Sequence, residues 1–248
     1  MEKVEAEPRL AELSTQWNLV FEAKSGTPEQ VSLAVSRLMC RYAGAVHRYL
    51  LKALKNPDAA EELDQEFAVR FLRGDFRHGD PSRGRFRDYV KRAVQNLMKD
   101  YYRRRRRQGA APLEPGVTEP STLDEGLIQF DRQFLQSWRN DLLDRAWVGL
   151  DELERSTGQP HYTILRLRVD EPGLTSKEWA ARLSEMLGRP VSPGAFRQAL
   201  QRARREFALR LLGEVRASLA EPNSQSLEEE LADLELLEYC RPYLKRSG

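Results

Sequence analysis

The chain has 248 residues, with 40 Lys and Arg against 38 Asp and Glu, for a formal charge of +2. That length accommodates two modest domains, each with its own core, and a charge so near zero excludes a uniformly basic nucleic-acid coat. Cys40 and Cys240 stand alone without CxxC spacing, which excludes a disulfide framework and a zinc ribbon.

The N-terminal stretch is acidic and carries no apolar core, so no secretory signal is expected. No run approaches the roughly 20 apolar residues of a membrane span. A soluble cytoplasmic protein with no membrane partner is therefore expected. The charge is segregated rather than balanced. Residues 70–108 hold 14 Lys and Arg against 4 Asp and Glu, while residues 221–238 hold 7 acids and no base.

In chain order, residues 8–23 predict a short amphipathic helix, with Leu10, Leu13, Trp17, Val20 and Phe21 near one face. Thr27-Pro28-Glu29 starts a second helix: a cap, a first-turn proline and an acid at the positive dipole end. It runs to about Lys55, with Val31, Val35, Leu38, Tyr42, Val46 and Leu50 inward. Asn56-Pro57-Asp58 punctuates the chain. A third helix follows over about 58–73, with Leu63, Phe67, Val69 and Phe71 as its apolar members. Residues 74–85, GDFRHGDPSRGR, predict a glycine-rich basic loop.

Residues 86–107, FRDYVKRAVQNLMKDYYRRRRR, predict one amphipathic helix ending in five arginines. Phe86, Val90, Ala93, Leu97 and Tyr101 form its apolar stripe. Arg92, Gln95, Asn96, Lys99 and Arg103 form the other face. Lys and Arg neutralise phosphates, and Gln and Asn hydrogen-bond to base edges, so this face suits a nucleic acid. Three prolines and two glycines make 108–122 a linker.

A long helical segment over 123–156 follows, carrying Phe130, Phe134, Trp138, Leu142, Ala146, Trp147 and Leu150. Residues 160–170 read as another helix, although their Tyr, Ile and Leu also suit a strand. Thr175 caps the helix SKEWAARLSEML. After the turn at 188–191, Ser192 caps a last long helix with Pro193 at its first position. That pair is a helix–turn–helix pattern. The second helix turns Phe196, Leu200, Ala203, Phe207 and Leu211 inward. Outward stand Arg197, Gln198, Gln201, Arg202, Arg204 and Arg205, as a major-groove recognition helix requires.

In the acidic tail, Leu227, Leu231, Leu234 and Leu237 recur at helical spacing among Glu228, Glu229, Glu230, Asp233 and Glu235. Two readings follow: a cap packed on the second domain, which we favour, or an acidic helix competing with DNA for the basic helices. His47, His78 and His161 are scattered, and Cys40 with His47 supplies only two ligands. No P-loop or HExxH occurs. Neither an enzyme nor a metal or cofactor site is expected.

These motifs, in this order and separation, resemble a σ70-family RNA polymerase sigma factor of the extracytoplasmic-function type, over nearly all of 28–216. DAAEELDQEFAVRFL (58–72) resembles the family's core-binding motif, Arg85–Arg107 its −10 region, and TILRLRVDEPGLTSKEWAARL with AFRQALQRARREF its −35 domain. The chain departs from the pattern at Tyr89, where the family usually has tryptophan. It also departs in the 74–85 loop, in the long turn LGRPVSPG, in the extended linker and following helix, and in the acidic tail.

The resemblance implies an all-α fold with an N-terminal extension over 1–27 and a region 2-like domain over 28–107. The linker 108–122, a region 4-like helix–turn–helix domain over 123–218 and an acidic extension over 219–248 complete it. It implies core RNA polymerase and promoter DNA as partners and leaves room for an anti-sigma protein. Asp64, Gln65, Glu66 and Phe67 would contact core polymerase. Arg85, Phe86, Arg87, Tyr89, Arg92, Gln95, Asn96, Lys99 and Arg103 would serve the −10 element. Ser192, Arg197, Gln198, Gln201, Arg202, Arg204 and Arg205 would serve the −35 element. The rival from another class is a helix–turn–helix repressor acting without polymerase.

Overall fold

Prolines and short polar caps start most of the described helices. The computed structural model describes residues 27–73, 85–107, 123–219 and 223–244, and for 28, 30–41, 72 and 123–130 the backbone alone. Among these residues the fold is all-α. In order it comprises α1 (Pro28–Leu54), α2 (Pro57–Arg73), α3 (Phe86–Arg107), α4 (Leu123–Thr157), α5 (His161–Asp170), α6 (Ser176–Leu187), α7 (Pro193–Ala217), α8 (Ser224–Asp233) and α9 (Leu237–Leu244). The helix expected at 8–23, the linker at 108–122 and nearly all of the 74–85 loop lie outside the described residues. No described helix is long and apolar enough to cross a membrane.

The chain divides into two compact units. The first holds the described residues up to Asp141 together with 215–234. Pro28 and Pro57 occupy first-turn positions that need no N–H donor, followed by Glu29 and Asp58. Lys55 at φ 50° ends α1, and Asn56 accepts the Ala59 N–H at 3.0 Å to begin α2. The core takes Tyr42, Val46, Tyr49 and Leu50 from α1, Leu63, Phe67 and Phe71 from α2, and Phe86, Val90, Val94 and Leu97 from α3.

Val69, expected inward, is 43% exposed. It stands two residues from Phe67, about 200° round the helix, on the opposite face.

The first unit does not end at the linker. Phe134 and Trp138 of α4 are fully buried in it. Trp138 stacks on Tyr42 with centroids 4.8 Å apart and planes 6° apart, and Tyr42 lies 4.8 Å from Phe86. Arg48 bonds Asp141 at 2.7 Å and Lys91 pairs with Asp131 at 3.3 Å. Residues 131–141, grouped by sequence with the second domain, thus complete the core of the first. The cause is their aromatic load, which fills the space beside Tyr42.

The second unit holds 142–214 and the described residues from 235 onward. Residues 161–170, compatible with strand by composition, are helical and bury Ile164, Leu165 and Leu167. Thr175 and Glu178 form a reciprocal capping box at the start of α6. Gly188 closes α6 at φ 62°, a conformation that costs residues with a Cβ. Ser184 Oγ accepts the Val191 N–H at 2.9 Å across the turn. Trp179 stacks on Phe196 at 5.8 Å and donates Nε1–H to the Glu171 carbonyl.

The tail is two helices rather than one. Glu235, at φ 57°, separates α8 from α9. Leu227, Leu231 and Leu234 are buried as expected, but beyond the break the phase shifts and Leu236 is buried instead of Leu237. The expected packing of the whole tail on the second domain therefore needs correction, since α8 belongs to the first unit.

Candidate nucleic-acid interface

The 22 residues of α3 carry two opposed faces. Phe86, Val90, Ala93, Val94, Leu97, Met98, Tyr101 and Tyr102 are buried, a wider stripe than five positions at helical spacing suggest. The opposite face leaves Arg92, Asn96, Lys99 and Arg103 exposed and Gln95 half-buried. Cations on this face can neutralise phosphates, and its amides can hydrogen-bond to base edges. Of the aromatic pair considered for base stacking, Phe86 is fully buried and offers no ring face. Tyr89 is half-buried, 6.1 Å from Phe86, and burial pushes its phenol above the ordinary tyrosine range.

Arg85 and Arg87, at the start of α3, face acids rather than solvent. Arg85 bonds Glu230 at 2.8 Å and Glu229 at 3.4 Å, and also bonds Asp233. Arg87, 4% exposed, pairs with Glu230 at 3.0 Å and bonds Asp233 at 3.1 Å. Burial opposes the Arg85 charge, but Glu230 and then Asp233 outweigh it and hold its pKa above the ordinary value. Burial also pushes the fully buried Glu230 carboxyl above the usual carboxylate range, against the pull of Arg87 and Arg85. Both charge blocks are visible in the sequence, and an acidic helix set against the basic ones is one of its two readings of the tail, but Arg85 and Arg87 are not marked there as the partners of Glu229, Glu230 and Asp233. The signal was the i, i+1, i+4 placement of Glu229, Glu230 and Asp233, which sets three carboxylates close together on one side of α8.

The acids of α2 divide by partner. Phe67 is buried, Gln65 exposed, and Asp64 half-buried 3.4 Å from His47. Burial pushes Asp64 above its ordinary value, with His47 pulling it down. Glu66 receives two hydrogen bonds from Arg104, at 2.6 and 3.1 Å, and one from Arg70 at 2.6 Å. Arg70 also bonds Asp100 at 3.0 Å.

The Arg104 guanidinium, with Arg70, holds Glu66 below the usual carboxylate range. A lowered folded-state pKa gives stability that is present above the unfolded value of about 4.3 and lost as pH falls through the folded one. Glu66→Gln is therefore expected to cost about 1 kcal/mol at neutral pH and progressively less below about pH 4. Denaturant unfolding of both proteins at several pH values checks this, and a pH-independent gap would rule it out.

In the second unit, Ser192 Oγ accepts the Ala195 N–H at 3.1 Å and starts α7. Arg197, Gln198, Gln201, Arg202, Arg204 and Arg205 are all exposed, while Phe196, Leu200, Ala203, Phe207 and Leu211 are buried. Helix α9 lies against this core, with Tyr239 6.1 Å from Phe207 and its hydroxyl 3.4 Å from the Arg204 carbonyl. Cys240 is fully buried, which pushes its thiol up to about 12. Among the described residues no group of His, Cys, Asp and Glu could hold a metal ion.

No curated protein and no solved structure matches the chain. Residues 38–108, which hold most of α1, all of α2 and α3, and the Glu66–Arg104 bonds, match the family model of Sigma-70 region 2.

Proposed function

We propose that this chain is a sigma factor of the extracytoplasmic-function type, which binds core RNA polymerase and directs it to promoters through −10 and −35 elements. The observation that carries this reading is the exposed basic and amide-bearing face of α3 inside the segment that matches Sigma-70 region 2. In this reading Arg92, Gln95, Asn96, Lys99 and Arg103 contact the −10 strand and its flanks. Tyr89 stacks on an unpaired base, and Phe86 serves the core. Asp64, Gln65 and Glu66 face polymerase, with Phe67 anchoring their helix.

Helix α6, its turn and α7 act as the −35 reader. Arg197 and Gln201 contact base edges, Ser192 and Gln198 flank them, and Arg202, Arg204 and Arg205 hold phosphates. Arg197→Ala is expected to lose about 1–3 kcal/mol of discrimination at one −35 position. Arg205→Ala is expected to weaken matched and scrambled sites alike and to flatten the salt slope. Binding titrations of polymerase holoenzyme on both sites, at several salt concentrations, separate the two. Equal losses from both variants on both sites would remove the assignment.

The reading as a whole is tested by mixing the protein with bacterial core polymerase on a pool of random-sequence templates. Transcripts that start downstream of a shared two-element motif are expected. Failure to bind core would overturn the reading and favour a repressor that works without polymerase.

A further inference from the structure

Two arginines at the start of α3 are held by three carboxylates of a helix some 140 residues later in the chain. Arg87 is almost wholly buried beneath them. A guanidinium offers the same planar fork to a carboxylate and to a phosphate. Helix α8 also has its own seat, through buried Leu227, Leu231 and Leu234, and its own start, the Asn223–Ser226 capping box. It is therefore a preformed element.

Apolar packing alone would need the leucines and not the acids. Burying the charges adds little net stability, because desolvation offsets most of the Coulomb gain. Occupancy of an anion site explains the acids better.

We propose that Arg85 and Arg87 form a binding site for DNA backbone phosphate, that Glu229, Glu230 and Asp233 of α8 occupy it in the free chain, and that DNA must displace α8 to use it. The inference rests on the reading of α3 as the −10 strand surface and adds a resident competitor to it. Arg92, Asn96 and Lys99 stay exposed on the same helix, so DNA has a first foothold before α8 leaves. A chain whose competent state is a minor fraction binds more weakly by that fraction.

The test uses a labelled single-stranded DNA 20-mer of mixed sequence and three proteins: the full chain, a chain ending at residue 222, and the full chain carrying Glu229→Gln and Asp233→Asn. The last pair of residues is half-exposed, so this variant keeps its leucine seat even if the truncated chain fails to fold. The substituted chain is expected to bind the 20-mer about tenfold more tightly, and the folded truncated chain at least as tightly. In the unaltered chain, saturating DNA is expected to speed amide exchange in 224–233.

Equal affinity of the full and substituted chains, or unchanged exchange in 224–233 while α3 becomes protected, would overturn the proposal. If that happens while promoter-dependent transcription with core polymerase stands, the sigma reading survives without the competitor. Tighter binding by the variants with no core-dependent transcription supports the phosphate site and sinks the sigma reading instead.

Discussion

Trp138→Ala is expected to destabilise the first unit by about 3–5 kcal/mol. The indole is 1% exposed and lies flat on Tyr42 at 4.8 Å, with Phe134 at 5.9 Å and Phe86 at 6.4 Å. Removing it opens a cavity among three rings that the helices around it cannot close without moving α4. That loss is a large part of a typical stability of about 5–15 kcal/mol. Trp138→Phe should cost much less, because it keeps a ring in the stack and the indole N–H finds no hydrogen-bond acceptor among the described residues. Denaturant unfolding of the two variants measures both. A loss below about 1 kcal/mol for the alanine variant would mean that residues 131–141 do not complete this core.

The second large effect concerns a buried charge. Glu230→Ala is expected to cost about 3 kcal/mol or more, because it strips Arg87 of one partner where water cannot replace it. The pair itself adds little net stability, so Arg87→Met combined with Glu230→Leu should be more stable than either single replacement. Asp233 and Arg85 keep solvent contact and can reorganise around the apolar pair. Thermal unfolding of the wild type, both singles and the double closes the cycle. Additive losses would show that Arg87 and Glu230 are not energetically coupled.

Most of the helices and most of their buried faces are legible in the sequence, Val69 and Leu237 being exceptions. Prolines, caps and glycine mark the ends of α1, α2, α6 and α7, and the 3.6-residue period places Phe86, Val90 and Leu97 inward and Arg92 and Lys99 outward. These are local effects, set by backbone chemistry and by which side of one helix is apolar. Sequence also marked the basic and acidic blocks, since charge runs are visible without coordinates. Which partners those blocks choose was settled only by tertiary structure. Phe134 and Trp138 joined Tyr42 and Phe86 rather than the domain downstream of the linker, and α8 met Arg85 and Arg87 rather than the second unit. Both outcomes depend on the shape of a cavity and on pairing across long stretches of chain, and no period or spacing within one segment encodes either.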